Sequence, residues 1–510
     1  MKIDLRRAAP QAHAPVCASR SRPVPARIGL GTTALRAEAH ANPDSFAPRT
    51  RVLAALAAAL LGGCASFSTD GGFGAIESAT QTRIQKDVAW QRDGAARSQT
   101  QPRIDALLEK PLSADDAVQI ALLNNPGLQA AFNTLGIAEA DWVAARRLPN
   151  PGVAIGRLTR GSEVEWDRSL HLDLARLLTM PMRAGIERRL FEQTRRGLVL
   201  DVLRLAADTR KAWVAAVAAN QSAQYQQQAM EAADAGAELA RRMQQAGNWS
   251  ALKQAREQAF HADAVLASAR AGQAQLQARE RLVRLMGLDR ADKVQLPDRL
   301  PDLPASLPAL PDVEQQAMDS RLDLQMTRLQ TEALAKNLGL TRRTRFVNVL
   351  ELGVVNNSSN EAPLQRGYEI SFELPLFDWG QTRVVQAESR YRQGLERARE
   401  TAVNARSEVR EAYAMRQSQY AIARHLRDEV VPLKQRISDE NLLRYNGMLI
   451  GVFELLADAR SQIASVNAAI EAQRDFWLAD ADMQMALAGK PDMRPVASGT
   501  PAMAEGGGAH

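Results

Sequence analysis

Tyr368, Ile370, Phe372 and Leu374 alternate with Glu369, Ser371 and Glu373, the period-two pattern of a strand with one apolar and one polar face. Pro375 predicts the end of its pairing, because proline has no amide to donate. The period then changes. Val384, Ala387, Tyr391, Gly394, Ala398, Ala402, Ala405, Val409 and Ala412 are spaced by threes and fours, which predicts a helix continuing to Tyr445. The four-residue step from Ala398 to Ala402 locally unwinds a left-handed supercoil, and Pro432 predicts a kink. At about 1.5 Å per residue, 381–445 would reach roughly 100 Å, a rod rather than a globule.

The same succession occurs earlier in the chain. Ser113-Ala114-Asp115-Asp116 predicts the cap of a helix that runs to Arg147 with a break at Asn125-Pro126. Strands are expected over 153–160 and 166–176, then a long helix over 183–245, a turn over 246–250 and a returning helix over 251–286 that stops at Gly287. In the second half a helix over 313–340 carries Arg321-Leu322-Asp323-Leu324 in place of Asn125-Pro126-Gly127-Leu128. A third strand is expected over 345–355, and after Gly447 a last helix runs to Ala488. Leu172 and Phe372, Trp213 and Tyr413, and Gly247 and Gly447 all stand 200 residues apart, which marks an internal duplication. Between the halves Leu-Pro occurs five times from Leu296 to Pro311, a composition that favours extended chain.

These signals divide the chain into a leader and signal segment (1–63), an extended tether (64–111), a first repeat (112–290), a Leu-Pro linker (291–312), a second repeat (313–488) and a disordered tail (489–510). The net charge of +6 belongs entirely to the leader, whose removal leaves 55 basic and 55 acidic residues. Nucleic acid is therefore not an expected partner. Arg49 and Arg51 precede an apolar run over 52–61 that ends in Leu61-Gly62-Gly63-Cys64, the layout of an export signal and too short to span a bilayer. The long stretch ahead of it predicts that translation starts downstream of Met1. Cys17 falls in the leader, so no internal disulfide is expected after cleavage.

Each strand has about ten residues, the length of a tilted membrane-spanning β-strand, and no apolar stretch after the signal is long enough for a membrane helix. Any membrane contact is then through strands. Four strands cannot close a barrel, and open edges in lipid leave amides unpaired at several kcal/mol each, so several chains must pool their strands.

Over about 113–488 the chain resembles the TolC-like outer-membrane factor family. The resemblance is carried by Asn124-Asn125-Pro126, Arg284-Leu285-Met286-Gly287, Pro375-Leu376-Phe377-Asp378-Trp379-Gly380-Gln381, Tyr445-Asn446-Gly447 and Leu455-Leu456-Ala457. It implies a mainly α fold with a small β part. Duplicated long helical hairpins would form an α-barrel, and four strands per chain would enter a twelve-stranded trimeric β-barrel. It implies an efflux exit duct, a homotrimer in outer-membrane lipid. A periplasmic adaptor (membrane fusion) protein would couple it to an inner-membrane transporter of the resistance-nodulation-division type. Leu61-Gly62-Gly63-Cys64 likewise resembles a bacterial lipoprotein signal, in which Cys64 is lipidated and Ala65 directs sorting to the outer membrane. Two alternatives are the outer component of a type I protein secretion system and a lipid-anchored periplasmic coiled-coil scaffold without a pore.

No enzyme chemistry or cofactor is expected, since a phosphate loop and clustered metal or nucleophile motifs are lacking. His171, His261, His425 and His510 are scattered, so no metal site is expected. Met180, Met182, Met483 and Met485 read as packing fillers at helix and strand ends. The candidate site is the pair of turns a rod away from the strands, the expected periplasmic tip. There Gly247 and Gly447 are expected to end their helices in the left-handed conformation, and Trp249, Met448, Leu449 and Ile450 offer apolar groups for adaptor docking. They equally read as packing against the neighbouring hairpin. Family members often carry acids where this chain has Phe453 and Leu456. Glu454 and Asp458, one turn apart, offer substitute entrance acids or a merely solvated face.

Overall fold

The structure is a computed structural model that describes residues 66–347 and 349–493. The expected leader over 1–63, the candidate lipidation site Cys64 and tail residues 494–510 lie outside those residues.

The expected tether is not extended. Its described part holds α1 (Gly74–Ile84) and α2 (Gly94–Leu108), and Asp93 caps the second by accepting the Ala96 amide at 2.8 Å. Asp70 accepts the amides of Gly74 and Gly72, which hold its carboxyl below the usual range. Each helix buries only two side chains, Ile76 and Thr80 or Ile104 and Leu108. That is too sparse a pattern for periodicity to reveal. Phe73 sets its ring edge-on to Phe132 at 5.0 Å, so the segment is packed onto the first repeat.

Both repeats open with a broken helix. Ser113 caps α3 (Ala114–Asn124), and Asn125 separates it from α4 (Pro126–Arg146), accepting the Leu128 amide at 2.9 Å. Pro126 sits at the first helical turn, where a missing amide costs nothing. Strands β1 (Gly152–Arg160) and β2 (Glu163–Asp173) follow, then α5 (Leu174–Gln245) and α6 (Ala251–Met286). In the second repeat Arg321, with φ −64° and ψ 127°, breaks α7 (Val313–Ser320) from α8 (Leu322–Thr344) in nearly the conformation of Asn125 at −65° and 118°. Then come β3 (Leu350–Ser359), β4 (Gln365–Phe372), α9 (Gln381–His425), α10 (Val431–Asn446) and α11 (Val452–Ala488).

The motifs that define each corner turn out to be partners. Asn124 donates to the carbonyls of Met286 and Gly287, and Asn125 donates to that of Leu285 at 2.9 Å. The last carbonyls of α6, which have no partner within their helix, are thereby satisfied. Gly287 has φ +66°, and a Cβ there would lie 2.6 Å from the Asn124 carbonyl oxygen. In the second repeat Arg321 does the equivalent work. It is 1% exposed and bonds Asp323 at 2.6 Å, Glu408 at 2.7 Å and the Ala486 carbonyl at 3.3 Å, so its charge is buried fully paired.

Several boundaries differ from expectation. α5 begins at Leu174, not Arg183, because Asp173 ends β2 and caps the helix through the Arg176 amide at 2.7 Å. Pro181 therefore lies inside α5, with Met180 and Met182 on either side. Over its 72 residues α5 rises about 108 Å. β3 starts five residues later than expected and takes in Asn356 through Ser359. Where Pro432 predicts a kink, the chain widens just ahead of it into a π turn at Leu426–Val430, which accommodates the proline ring and its missing amide.

The Leu-Pro segment forms no helix or strand but is strapped down. Tyr420 donates to the Pro304 carbonyl at 2.9 Å, and Gln473 and Trp477 donate to that of Pro301. The tail was expected to be disordered from Gly489. Its described residues instead fold back, with Gly489 against Leu200 and the Asp492 carbonyl accepting from Lys211. Met483 and Met485 are buried in apolar clusters.

At the two tips the helices end by the same bond pattern shifted by one residue. In the first, Gly247 takes φ +77° and the Asn248 amide reaches back to the Met243 carbonyl at 2.9 Å. In the second, the expected left-handed Gly447 has φ −81°. Met448 carries the positive φ of 57°, and the Leu449 amide bonds the Arg444 carbonyl at 2.8 Å. A methionine in that conformation costs about 1–2 kcal/mol.

Gly287→Ala should lower stability by at least about 1–2 kcal/mol from its positive φ alone. Gly272→Ala in α6, where the added methyl meets open space, should raise it by about 0.5–1 kcal/mol. Urea midpoints of the two variants should therefore move in opposite directions. Met448→Gly should relieve the second tip, so hydrogen exchange at the Leu449 amide should slow. Faster exchange there would mean that the methionine is not strained.

Candidate functional site

The four strands form one antiparallel sheet in the order β1-β2-β3-β4, leaving an edge of β1 and an edge of β4 without a partner within the chain. Residues directly opposite one another share a face, so the register sorts every side chain. Val153, Leu170, Val354 and Tyr368 form one row, and Leu172, Leu352 and Ile370 the next. Leu350 opposite Phe372 closes this apolar face at the helical end of the sheet. Tyr368 is 80% exposed and Phe372 60%. The single chain thus leaves the face uncovered, an apolar surface that calls for a partner phase.

The other face is polar. All six carboxylates of the strands, Glu163, Glu165, Asp167, Asp173, Glu351 and Glu369, lie on it, together with His171 and Arg160. Asp173 at the end of β2 and Pro375-Leu376-Phe377-Asp378-Trp379-Gly380 after β4 turn the chain from sheet to rod. In the latter, Asp378 accepts the Gly380 amide at 2.9 Å and the Thr382 hydroxyl at 2.8 Å. Trp379 meets Phe346 edge-on at 6.3 Å, placing an exposed aromatic pair at the junction. Among the described residues no helix is long and apolar enough to cross a membrane. None of their His, Cys, Asp and Glu side chains form a group of three able to hold a metal ion.

At the tip the structure divides the predicted apolar residues. Trp249 packs edge-on to Phe453 at 6.5 Å and Ile450 is half-buried, so these join the two hairpins. Leu456 lies against Gly236, so Phe453 and Leu456 both serve apolar packing between the hairpins. Met448 is 93% exposed and Leu449 78%. Both stand free of the chain's own helices beside exposed Leu443, and the first tip adds exposed Leu252. Glu454 is exposed and Asp458 half-buried on α11.

Just behind the tip Arg460 meets the buried Glu257 at 2.5 Å and lies over the Phe260 ring at 4.2 Å, tying the hairpins together. Sequence reasoning missed this pair and the exposed Leu443 and Leu252. Leu443 follows Leu442 in a helix whose other face is charged, a signal that was available. Glu257 gives no signal of its own, because its partner is 203 positions away.

No family model and no curated relative matches the sequence. Solved structures do match the fold. A membrane protein from Pseudomonas aeruginosa superposes with a TM-score of 0.64 at 19% identity, over 73% of this chain and 92% of that one. The Campylobacter jejuni CmeC outer membrane channel gives 0.63 at 16%, over 75% and 87%. The open state of the Neisseria gonorrhoeae MtrE outer membrane channel gives 0.60 at 20%, over 77% and 91%. At these identities the likeness is one of architecture: the chain has the fold of the TolC-like outer-membrane factors.

Proposed function

We propose that this chain is one protomer of an outer-membrane efflux duct. The observation that carries the reading is the four-stranded sheet with two open edges and an uncovered apolar face that holds no carboxylate. In hydrocarbon an unpaired edge costs several kcal/mol per group, and joining β1 of one copy to β4 of the next removes both edges. Three copies give twelve strands, a barrel whose apolar face meets lipid and whose polar face lines a water-filled passage. The paired hairpins continue that passage as an α-helical tunnel through the periplasm. An uncovered apolar sheet has no use in a scaffold without a pore.

The duct carries out no chemistry. Substrate enters at the tip, where Met448, Leu449, Leu443 and Leu252 offer an apolar docking surface to a periplasmic adaptor, which couples the duct to an inner-membrane transporter of the resistance-nodulation-division type. Trp249, Ile450, Gly247 and Gly447 shape the two turns that present this surface. Tripled by the threefold axis, Glu454 and Asp458 face the substrate at the entrance. Lipidation at Cys64 holds the assembly in the outer membrane. [³H]Palmitate should label the full chain and fail to label Cys64→Ala.

The purified protein should run as a trimer in mild detergent and conduct in planar bilayers. Six carboxylates against one arginine on the polar face should make that conductance favour cations, read as the sign of the reversal potential in a KCl gradient. A monodisperse monomer without conductance would sink the duct. Leu449→Glu should abolish efflux while trimer and melting temperature stay unchanged, since it touches only the exposed tip. Normal efflux by that variant would reject docking through the second tip.

A further inference from the structure

We propose that the rim of the apolar sheet face farthest from the helices is a binding site for the phosphate groups of outer-leaflet lipid, formed by Arg157, Arg168 and Arg366 around Trp166. The inference rests on the barrel reading above, which sets this face against lipid.

The register places all four residues on the apolar face. Arg157 lies opposite Trp166, while Arg168 and Arg366 both lie opposite Asn356. The guanidinium of Arg157 lies 5.7 Å from the Trp166 ring centroid and that of Arg168, one row nearer the helices, lies 6.0 Å from it, so the indole draws together two cations from adjacent rows. All three arginines are exposed. No carboxylate shares their face, because every strand acid is on the other one. A passage wall and a lipid-facing wall have thus been given opposite charge.

Position selects the ligand. Going from Phe372 to Arg366 along β4 covers six residues, about 20 Å of strand. Below that span stand the exposed Trp379 and Phe346 of the sheet-to-rod junction. The apolar rows are therefore bracketed by aromatic side chains at both ends, as at the two interfaces of a membrane barrel. Helices leave the sheet only at the Trp379 end, so the arginine end faces the exterior. Three arginines at headgroup depth with no strand carboxylate on their face attract an external anion. A phosphate offers the paired oxygens that a guanidinium fork matches in bidentate fashion, and a threefold assembly repeats the set around the barrel.

The test uses the full protein in phosphatidylcholine nanodiscs with and without bisphosphorylated lipid A, reading bound lipid by native mass spectrometry. Wild type should retain lipid A selectively, and R157Q/R168Q/R366Q should lose more than tenfold in apparent affinity, with about fivefold per arginine. Arg160→Gln, on the polar face of the same rim, should bind as wild type does. Conductance in pure phosphatidylcholine should persist in every variant. If the triple variant fails to assemble, Arg366→Gln, which is not stacked on Trp166, carries the test alone. Equal retention by wild type and the arginine variant, or an equal loss in Arg160→Gln, overturns the lipid site while normal conductance leaves the duct standing. A wild type that does not conduct overturns the duct instead.

Discussion

A backbone amide in hydrocarbon must have a hydrogen-bond partner, and this chain leaves two rows of them open. The ladders between β1, β2, β3 and β4 are complete, but each outer edge has none, and side chains cannot repair that. Only another strand can. In the proposed assembly this single requirement dictates that copies associate in a ring. It also dictates that the rods, each rigidly continuous with a strand through Asp173 or the Asp378 turn, take up the same symmetry below the membrane. The long helices need no membrane chemistry of their own, which is why their exposed faces are charged and their seams alanine-rich.

The short motifs that carry the family resemblance are joints rather than reactive groups. Helix ends leave four carbonyls or amides without internal partners, and a fold made of long helices that reverse direction has many such ends close together. Asn124 and Asn125 satisfy the end of α6 beside Gly287, and Arg321 reaches the end of α11. Asp378 organises the start of α9. Asn124, Asn125, Arg321 and Asp378 each bond backbone groups that their own helices leave unpaired, so substitutions there act through architecture.

Much of this was legible because the pattern is strong. The alternation around Tyr368 to Phe372, the rods, the Asn125-Pro126 break and the 200-residue offset all follow from spacing alone, and each corresponds to an element of the structure. Failures came where a single polar side chain outweighs the pattern. Asp173 continues an alternating run yet ends it, because a carboxylate beside free amides makes a better cap than a strand residue. Asn356 and Asn357 read as a loop yet pair in β3, because register with β2 and β4 overrides their weak strand preference. The segment over 74–108 read as a tether since its helices bury few residues each. At the tip, sequence could place the apolar group but not divide it into packed Trp249 and exposed Leu449, a distinction that depends on where Phe453 comes to lie.

The two repeats have kept one backbone plan while parting in chemistry, and the differences fall at matching places. A neutral Asn125 corner in the first repeat faces a buried Arg321 corner in the second. The unbroken α5 stands against α9 and α10 divided by a π turn, and a relaxed Gly247 against a strained Met448. Each change makes the second hairpin the more specialised: a paired buried charge fixes its base, the π turn gives it a place to bend, and its tip holds stored strain beside exposed Leu449. Trp249 at the tip of the first hairpin packs on Phe453 of the second, so the two tips are held to one another by an aromatic contact.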